Sequence, residues 1–180
     1  MAFHQDFREE SEILVYVAEV PDTPIGQIWI AWSQQGLVAV EIGRLRDQFT
    51  ERLKMMGFNH FRFDSQDSSA ATGQIRQYLE GRRTNFDLAI DWSMITRFQR
   101  QVFEVVLAVP FGEVITYGEI AHRLGKPEAA RAVGRAVATN PLPIVIPCHR
   151  VIGADGKLHG YRAPKGIETK AWLLALERVL

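Results

Sequence analysis

Between residues 13 and 43 the chain reads ILVYVAEV (Ile13–Val20), GQIWIAW (Gly26–Trp32) and GLVAVEIG (Gly36–Gly43). These are short runs rich in β-branched and aromatic residues, separated by PDTPIG and SQQG, both turn compositions. The pattern predicts an antiparallel meander. The hydrophobic period then changes. Helical patterns cover about Leu45–Met56 and Ala70–Leu79, and Phe86–Trp92 reads either as a further strand or as a linker. Strands followed by helices imply an α+β class, with an N-terminal domain over residues 1–92 and a second domain over 93–180.

The second half reads as helices joined by short loops. In TRFQRQVFEVVLAVP, the apolar residues Phe98, Val102, Val105 and Val106 share a helical face that Thr96 can cap. In TYGEIAHRL, Thr116 and Glu119 stand at capping-box spacing, and Gly125 closes the helix after Leu124. Pro127 suits the first position of the next helix, EAARAVGRAVAT. Two short helices around a glycine-containing turn make a helix-turn-helix. A last helix is predicted from about Ile167 to Arg178.

Charge divides along the same line. Of 21 basic and 21 acidic residues, 12 basic and 7 acidic fall in 94–180, leaving 9 and 14 in 1–93. The C-terminal half is therefore +5 and the N-terminal half −5, which suggests an anionic partner for the former or complementarity between the two. On EAARAVGRAVAT, Ala129, Val133, Ala136 and Val137 form the apolar stripe. Arg131 and Arg135 share the other side, among the small residues Ala132, Gly134 and Ala138. Such a face is either a solvated surface or one that lets a helix backbone approach DNA while arginines meet phosphates or enter the stack.

Cys148 is the only cysteine, and it lies in NPLPIVIPCHRVIG. It permits no internal disulfide and no zinc-type spacing, which suits a reducing, cytoplasmic compartment. The acidic start, MAFHQDFREESEIL, is unlike a secretory signal, and no run approaches the roughly 18 apolar residues of a membrane span. A lone cysteine is usually an inert core residue. Here His149 offers a base, Arg150 adds positive potential, and Pro143 and Pro147 stiffen the approach. Glu177 falls on the inward side of the last helix with Leu173 and Leu174, where a carboxylate needs a partner such as a histidine. His4, His60, His122 and His159 read as ordinary surface or packing residues.

VPFGEVITYGEIA, AARAVGRA, NPLPIVIPCHRVIG and the later GY and KAWLLALE resemble the O6-alkylguanine-DNA alkyltransferases, densely so over about Thr96–Glu177. The resemblance implies a small RNase H-like antiparallel-sheet-plus-helix domain, then a winged helix-turn-helix-like one. It implies direct-reversal repair: O6-alkylguanine, and O4-alkylthymine with it, is flipped from duplex DNA and its alkyl group moves irreversibly to Cys148. His149 then matches the histidine that draws the thiol proton through a water, Glu177 the carboxylate behind it, and Asn140 the buttress of the loop. Tyr117 matches the tyrosine that rotates a phosphate and donates to the flipped base. Arg131 matches the finger that fills the vacated place, and Tyr161 lines the guanine pocket. Ala130, Gly134 and Arg135 join the DNA-facing set. Arg150, Val151 and Arg162 join the base-binding set, Arg162 through its backbone N–H to the base oxygen, with backbone carbonyls near Cys148 and Val151 accepting from the exocyclic amine.

The resemblance implies no cofactor and no metal. It implies a cytoplasmic, nucleoid-associated monomer (nuclear in a eukaryote), with cooperative assembly on DNA left open. After Tyr161 the chain departs from the family, with Arg162-Ala163-Pro164-Lys165-Gly166 in place of a serine and a glycine-rich turn, so the tolerated alkyl size is open. Competing readings are a Cys–His acyl-transfer enzyme, a lesion-binding module without reactive thiol, and a helix-turn-helix transcription factor.

Overall fold

The computed structural model describes residues 13–64 and 70–180; His4 and the acidic start of the chain lie outside them. The meander forms as β1 (Leu14–Val20), β2 (Ile28–Ser33) and β3 (Gly36–Ile42). β1 and β2 are antiparallel with Val20 opposite Ile28, and β2 and β3 are antiparallel with Ile28 opposite Ile42. The sheet is nevertheless mixed, not purely antiparallel. After α1 (Arg46–Met55), β4 (His60–Phe63) pairs parallel to β1, giving the order β3-β2-β1-β4. Parallel pairing requires the crossover that α1 supplies. β4 is a largely exposed edge: its HFRF sequence alternates polar and aromatic residues, but only Phe61 is even partly buried.

Alternating residues along β1 send side chains to opposite faces. Val15 and Val17 pack with Trp29, Phe49, Leu53 and Phe58 beneath α1. Ala18 and Val20, with Ile28, Ile30 and Val40, face the larger core. That core includes Ile75 and Tyr78 of α2 (Ala70–Leu79), and Val102, Phe103 and Val106 of α3 (Arg97–Leu107). Thr96 caps α3 as expected, its hydroxyl accepting from the Gln99 amide.

The segment Phe86–Trp92 resolves as a linker. It runs along β3, with Leu37 N–H donating to Ala89 and Asp91 N–H donating to Leu37. An unpaired sheet edge is thereby satisfied. Only an isolated parallel bridge joins Leu37 and Ile90.

In the C-terminal half, the two-residue strand β5 (Ile115–Thr116) leads into α4 (Tyr117–Arg123), capped reciprocally by Thr116 and Glu119. Gly125 takes φ of 68°, a left-handed conformation that favours glycine at the end of a helix. The helix expected from Glu128 begins later. Pro127–Ala129 is a single 3-10 turn, and α5 spans Ala130–Ala138. β6 (Val151–Ile152) pairs parallel with β5, and α6 covers Ile167–Leu176, so Glu177 sits at its C-cap. Among the described residues no helix is long and apolar enough to cross a membrane.

Candidate active site

One asparagine folds the approach to Cys148. Buried Asn140 donates through Nδ2 to the Ile146 carbonyl at 2.9 Å, and its Oδ1 accepts from the Leu142 amide at 2.9 Å. Inside this loop Ile144 has φ of 76°. A β-branched residue there is strained, and only surrounding packing sustains it. The Ile144 side chain is 1% exposed, so the core holds the strained turn in place. Cys148–Arg150 then form a 3-10 turn, with the Arg150 amide donating to the Pro147 carbonyl. Cys148 is buried.

Glu177 is the centre of a buried polar network. Its Oε1 accepts from the Tyr78 hydroxyl at 2.6 Å, from His149 Nε2 at 2.8 Å and from Arg150 Nη2 at 2.9 Å. Its Oε2 accepts from Arg150 Nε at 2.9 Å and from the Gly112 amide at 3.1 Å. Burial alone would raise this carboxyl. The hydrogen bonds from His149, Arg150 and the Tyr78 hydroxyl outweigh it, and the pKa falls to about 2. An ionised carboxylate only accepts, so the short contact to His149 places the imidazole proton on Nε2. Nδ1 is left unprotonated. It is buried and has no hydrogen-bond partner among the described residues. Burial lowers the His149 pKa despite the Glu177 charge, which keeps the ring a neutral base.

Burial also raises the Cys148 thiol, against the Asn140 hydrogen bond and the positive charge of Lys170. The resting pair is therefore thiol and neutral imidazole, and nucleophilic attack requires a proton to leave sulfur. Lys170 is fully buried, donating to the carbonyls of Val151 at 2.6 Å and His159 at 3.1 Å. Tyr161 presents its ring edge to His149, at 6.5 Å between centroids and 83° between planes. Its hydroxyl is buried, and no group among the described residues bonds it. Burial and then the neighbouring Cys148 push its pKa up, as they do for half-buried Tyr117 at the start of α4.

The structure gathers Cys148, His149, Asn140, Tyr161 and Glu177 in one place, with Tyr117 beside it. Arg131 and Arg135 are exposed on α5, while Ala130 and Gly134 are half-buried, Gly134 against the Tyr117 ring. One placement differs from expectation. Arg150 does not face the base-binding side: its guanidinium is committed to Glu177, to the Val109 carbonyl at 2.5 Å and to the face of Phe111. Arg162 turns towards the N-terminal sheet, 3.7 Å from Glu41. The carbonyls of Cys148 and Val151 each already accept one proton, from the Val151 amide and Lys170, which leaves each one lone pair.

Of the histidines taken as ordinary, His60 and His122 are exposed. His159 has partners, its Nε2 lying 3.7 Å from Asp155 and its carbonyl holding Lys170. Sequence reasoning missed Lys170 and Tyr78. Lys170 carried a signal, since it precedes Glu177 by two helical turns and shares the face of Leu173 and Leu174. Nothing local marked the Tyr78 hydroxyl.

Comparison with known proteins bears on the whole chain. The family model "6-O-methylguanine DNA methyltransferase, DNA binding domain" matches residues 97–179, and the "ribonuclease-like domain" of the same family matches 16–92. A methylated-DNA–protein-cysteine methyltransferase of Mycobacterium tuberculosis is 42% identical over 157 residues, 87% of this chain and 89% of that protein. That of Salmonella typhimurium is 38% identical over 165 residues, 88% and 93% respectively. The crystal structure of M. tuberculosis O6-methylguanine methyltransferase superimposes with a TM-score of 0.76 at 37% identity, covering 91% of this chain and 93% of that one. The M. tuberculosis protein solved in complex with DNA gives 0.76 at 39% identity, over 91% and 92%. The two family models, matched from residue 16 to residue 179 on a fold whose buried Cys148 is followed by a buried His149, place this chain in the 6-O-methylguanine DNA methyltransferase family.

Proposed function

We propose that this protein repairs duplex DNA by moving the alkyl group of O6-alkylguanine, and of O4-alkylthymine, onto Cys148 in a single irreversible event. The observation that carries the reading is the pinned His149, next in the chain to the sole cysteine, whose unprotonated Nδ1 is buried with no hydrogen-bond partner among the described residues. An alkyl carbon on a stacked base cannot be attacked in line, so the nucleotide must leave the helix. α5 lies in the minor groove, Arg131 fills the vacated place, Arg135 meets phosphate and Tyr117 crowds the rotated one. Tyr161 lines the pocket, and its hydroxyl, without a partner among the described residues, is a donor for the base.

His149 Nδ1 then takes the Cys148 proton through a bridging water. Sulfur bonds to the alkyl carbon as the carbon–O6 bond breaks, and the guanine recovers the proton. The product is a thioether. With no second cysteine and no hydrolysable ester, the thiol is consumed. The same reading divides the chain into domains at 1–92 and 93–180, supported by the ranges of the two family models. It places the protein in the cytoplasm at the nucleoid, where its DNA is.

Incubation with a duplex carrying one O6-methylguanine should add one methylene to the Cys148 peptide, once per protein, and release unmodified guanine. Cys148→Ala should bind the same duplex without transfer. Catalytic turnover on a thioester or ester, with no mass gain, would instead indicate an acyl-transfer enzyme. Arg131→Ala is expected to slow transfer from duplex roughly 10- to 100-fold, the scale of an unstacked step no longer compensated. Transfer from the free base O6-benzylguanine should be unaffected, since nothing is flipped; equal slowing on both substrates would remove Arg131 from the flipping step.

A further inference from the structure

The two loops that flank the reactive thiol rest on the same strand of the N-terminal sheet. At the Asn140 loop, the Val40 amide donates to the Pro141 carbonyl at 2.8 Å. At the loop after Tyr161, Arg162 Nη2 lies 3.7 Å from Glu41 Oε2. Two residues on, Pro164 sits so close to Gly43 that a Cβ built on that glycine would fall 2.3 Å from the proline Cγ. Val40 and Glu41 belong to β3, and Gly43 is the turn just beyond it, with φ of 69°.

Glu41 is 2% exposed and is gripped from three sides. Arg52 of α1 donates to it at 2.5 Å, Arg44 lies at 3.3 Å, and Arg162 completes the set. Arg162 therefore lines a cleft of about 210 Å³ between the two halves, alongside Arg52, Asp91, Gln99 and Thr139. Ala163, partly buried, packs against the main core between these two anchors. The segment following Tyr161 is thus tied down at three consecutive residues.

We infer that β3 acts as a clamp on the alkyl pocket: Glu41 through Arg162, and Gly43 through Pro164, hold the loop behind Tyr161 at a fixed distance from the Asn140–Cys148 loop and so restrict the size of alkyl group admitted. The inference rests on the alkyl-transfer reading above. Glu41, Gly43 and Pro164 are positioning residues, acting through the loop and not on the reacting atoms. A proline clamped against a glycine is stiff where a glycine-rich turn would yield, so the clamp favours methyl over bulkier groups.

The test compares second-order transfer rates from matched duplexes carrying O6-methylguanine or O6-benzylguanine, so that DNA binding cancels in the ratio. Glu41→Gln and Arg162→Gln should each raise the benzyl-to-methyl ratio roughly three- to fivefold, the scale of one partly exposed ion pair. The double variant should add nothing further, because both changes release the same contact. Glu41 is buried and its replacement can cost the fold, so Pro164→Gly tests the clamp without touching the carboxylate, and it should raise the ratio too.

An unchanged ratio in Pro164→Gly, with melting close to wild type, would overturn the inference. So would a shift in Arg162→Gln that a folded Glu41→Gln does not share, since Arg162 would then act on DNA directly. Wild-type protein transferring neither group would overturn the proposed function instead.

Discussion

Replacing His149 by glutamine is expected to lower the rate of methyl transfer roughly 10²- to 10⁴-fold, the range contributed by a positioned general base. The shape of the pH profile is the sharper readout. In the wild type the ground state holds a neutral thiol and a neutral imidazole, and the reactive state holds thiolate and imidazolium. The two contain the same number of protons. The rate should therefore be flat between the two titrations. Burial lowers His149 from its ordinary 6.5, so the plateau should extend below pH 6.5. Burial raises Cys148 from its ordinary 9.0, so it should extend above pH 9. Without the imidazole, thiolate must form by losing its proton to solvent, and the rate should climb about tenfold per pH unit across that window. A wild-type rate rising steadily from pH 6.5 to 9 would mean that sulfur reacts from free thiolate and that His149 is not the base.

Sequence made the local parts of this design legible. Thr96 and Thr116 cap their helices by bonds to residues three positions on, so the signal and the structure lie in the same short window. The C-terminal site was legible because Cys148, His149 and Arg150 are consecutive and Glu177 sits on an apolar face. What escaped was set by distance along the chain. β4 is defined by its pairing with β1, whose residues lie far earlier, and its own exposed pattern is uninformative. The Tyr78 hydroxyl meets His149 and Glu177 at separations of 71 and 99 residues, and an aromatic on the buried face of α2 reads as packing alone. Arg150 reads from sequence as a cation near the site and Arg162 as a departure from the family, but only the tertiary fold decides which carboxylate each guanidinium finds.

The same network makes Glu177→Ala the substitution with the largest expected cost to stability. It strands the buried Arg150 guanidinium, and it leaves the Tyr78 hydroxyl, the His149 Nε2 proton and the Gly112 amide without their acceptor. Removing one partner of a buried ion pair costs about 3–5 kcal/mol, a large share of the roughly 5–15 kcal/mol that holds a protein folded. For a chain of this size that corresponds to a fall in Tm of about 10 °C. The penalty belongs to the stranded cation, so Glu177→Leu combined with Arg150→Met should recover much of it while alkyl transfer stays lost.

The pH dependence separates charge from shape. The Glu177 carboxyl titrates at about 2 when folded against its ordinary 4.5, so its stabilisation is complete above pH 4.5 and is lost as pH falls towards 2. Glu177→Gln keeps the shape and lacks that titration. Its stability should sit below that of the wild type at pH 7, and the gap should narrow through the acid range. Parallel curves for the two proteins between pH 5 and 2 would mean that Glu177 holds His149 and Arg150 by geometry alone, and the pinned tautomer would need another source.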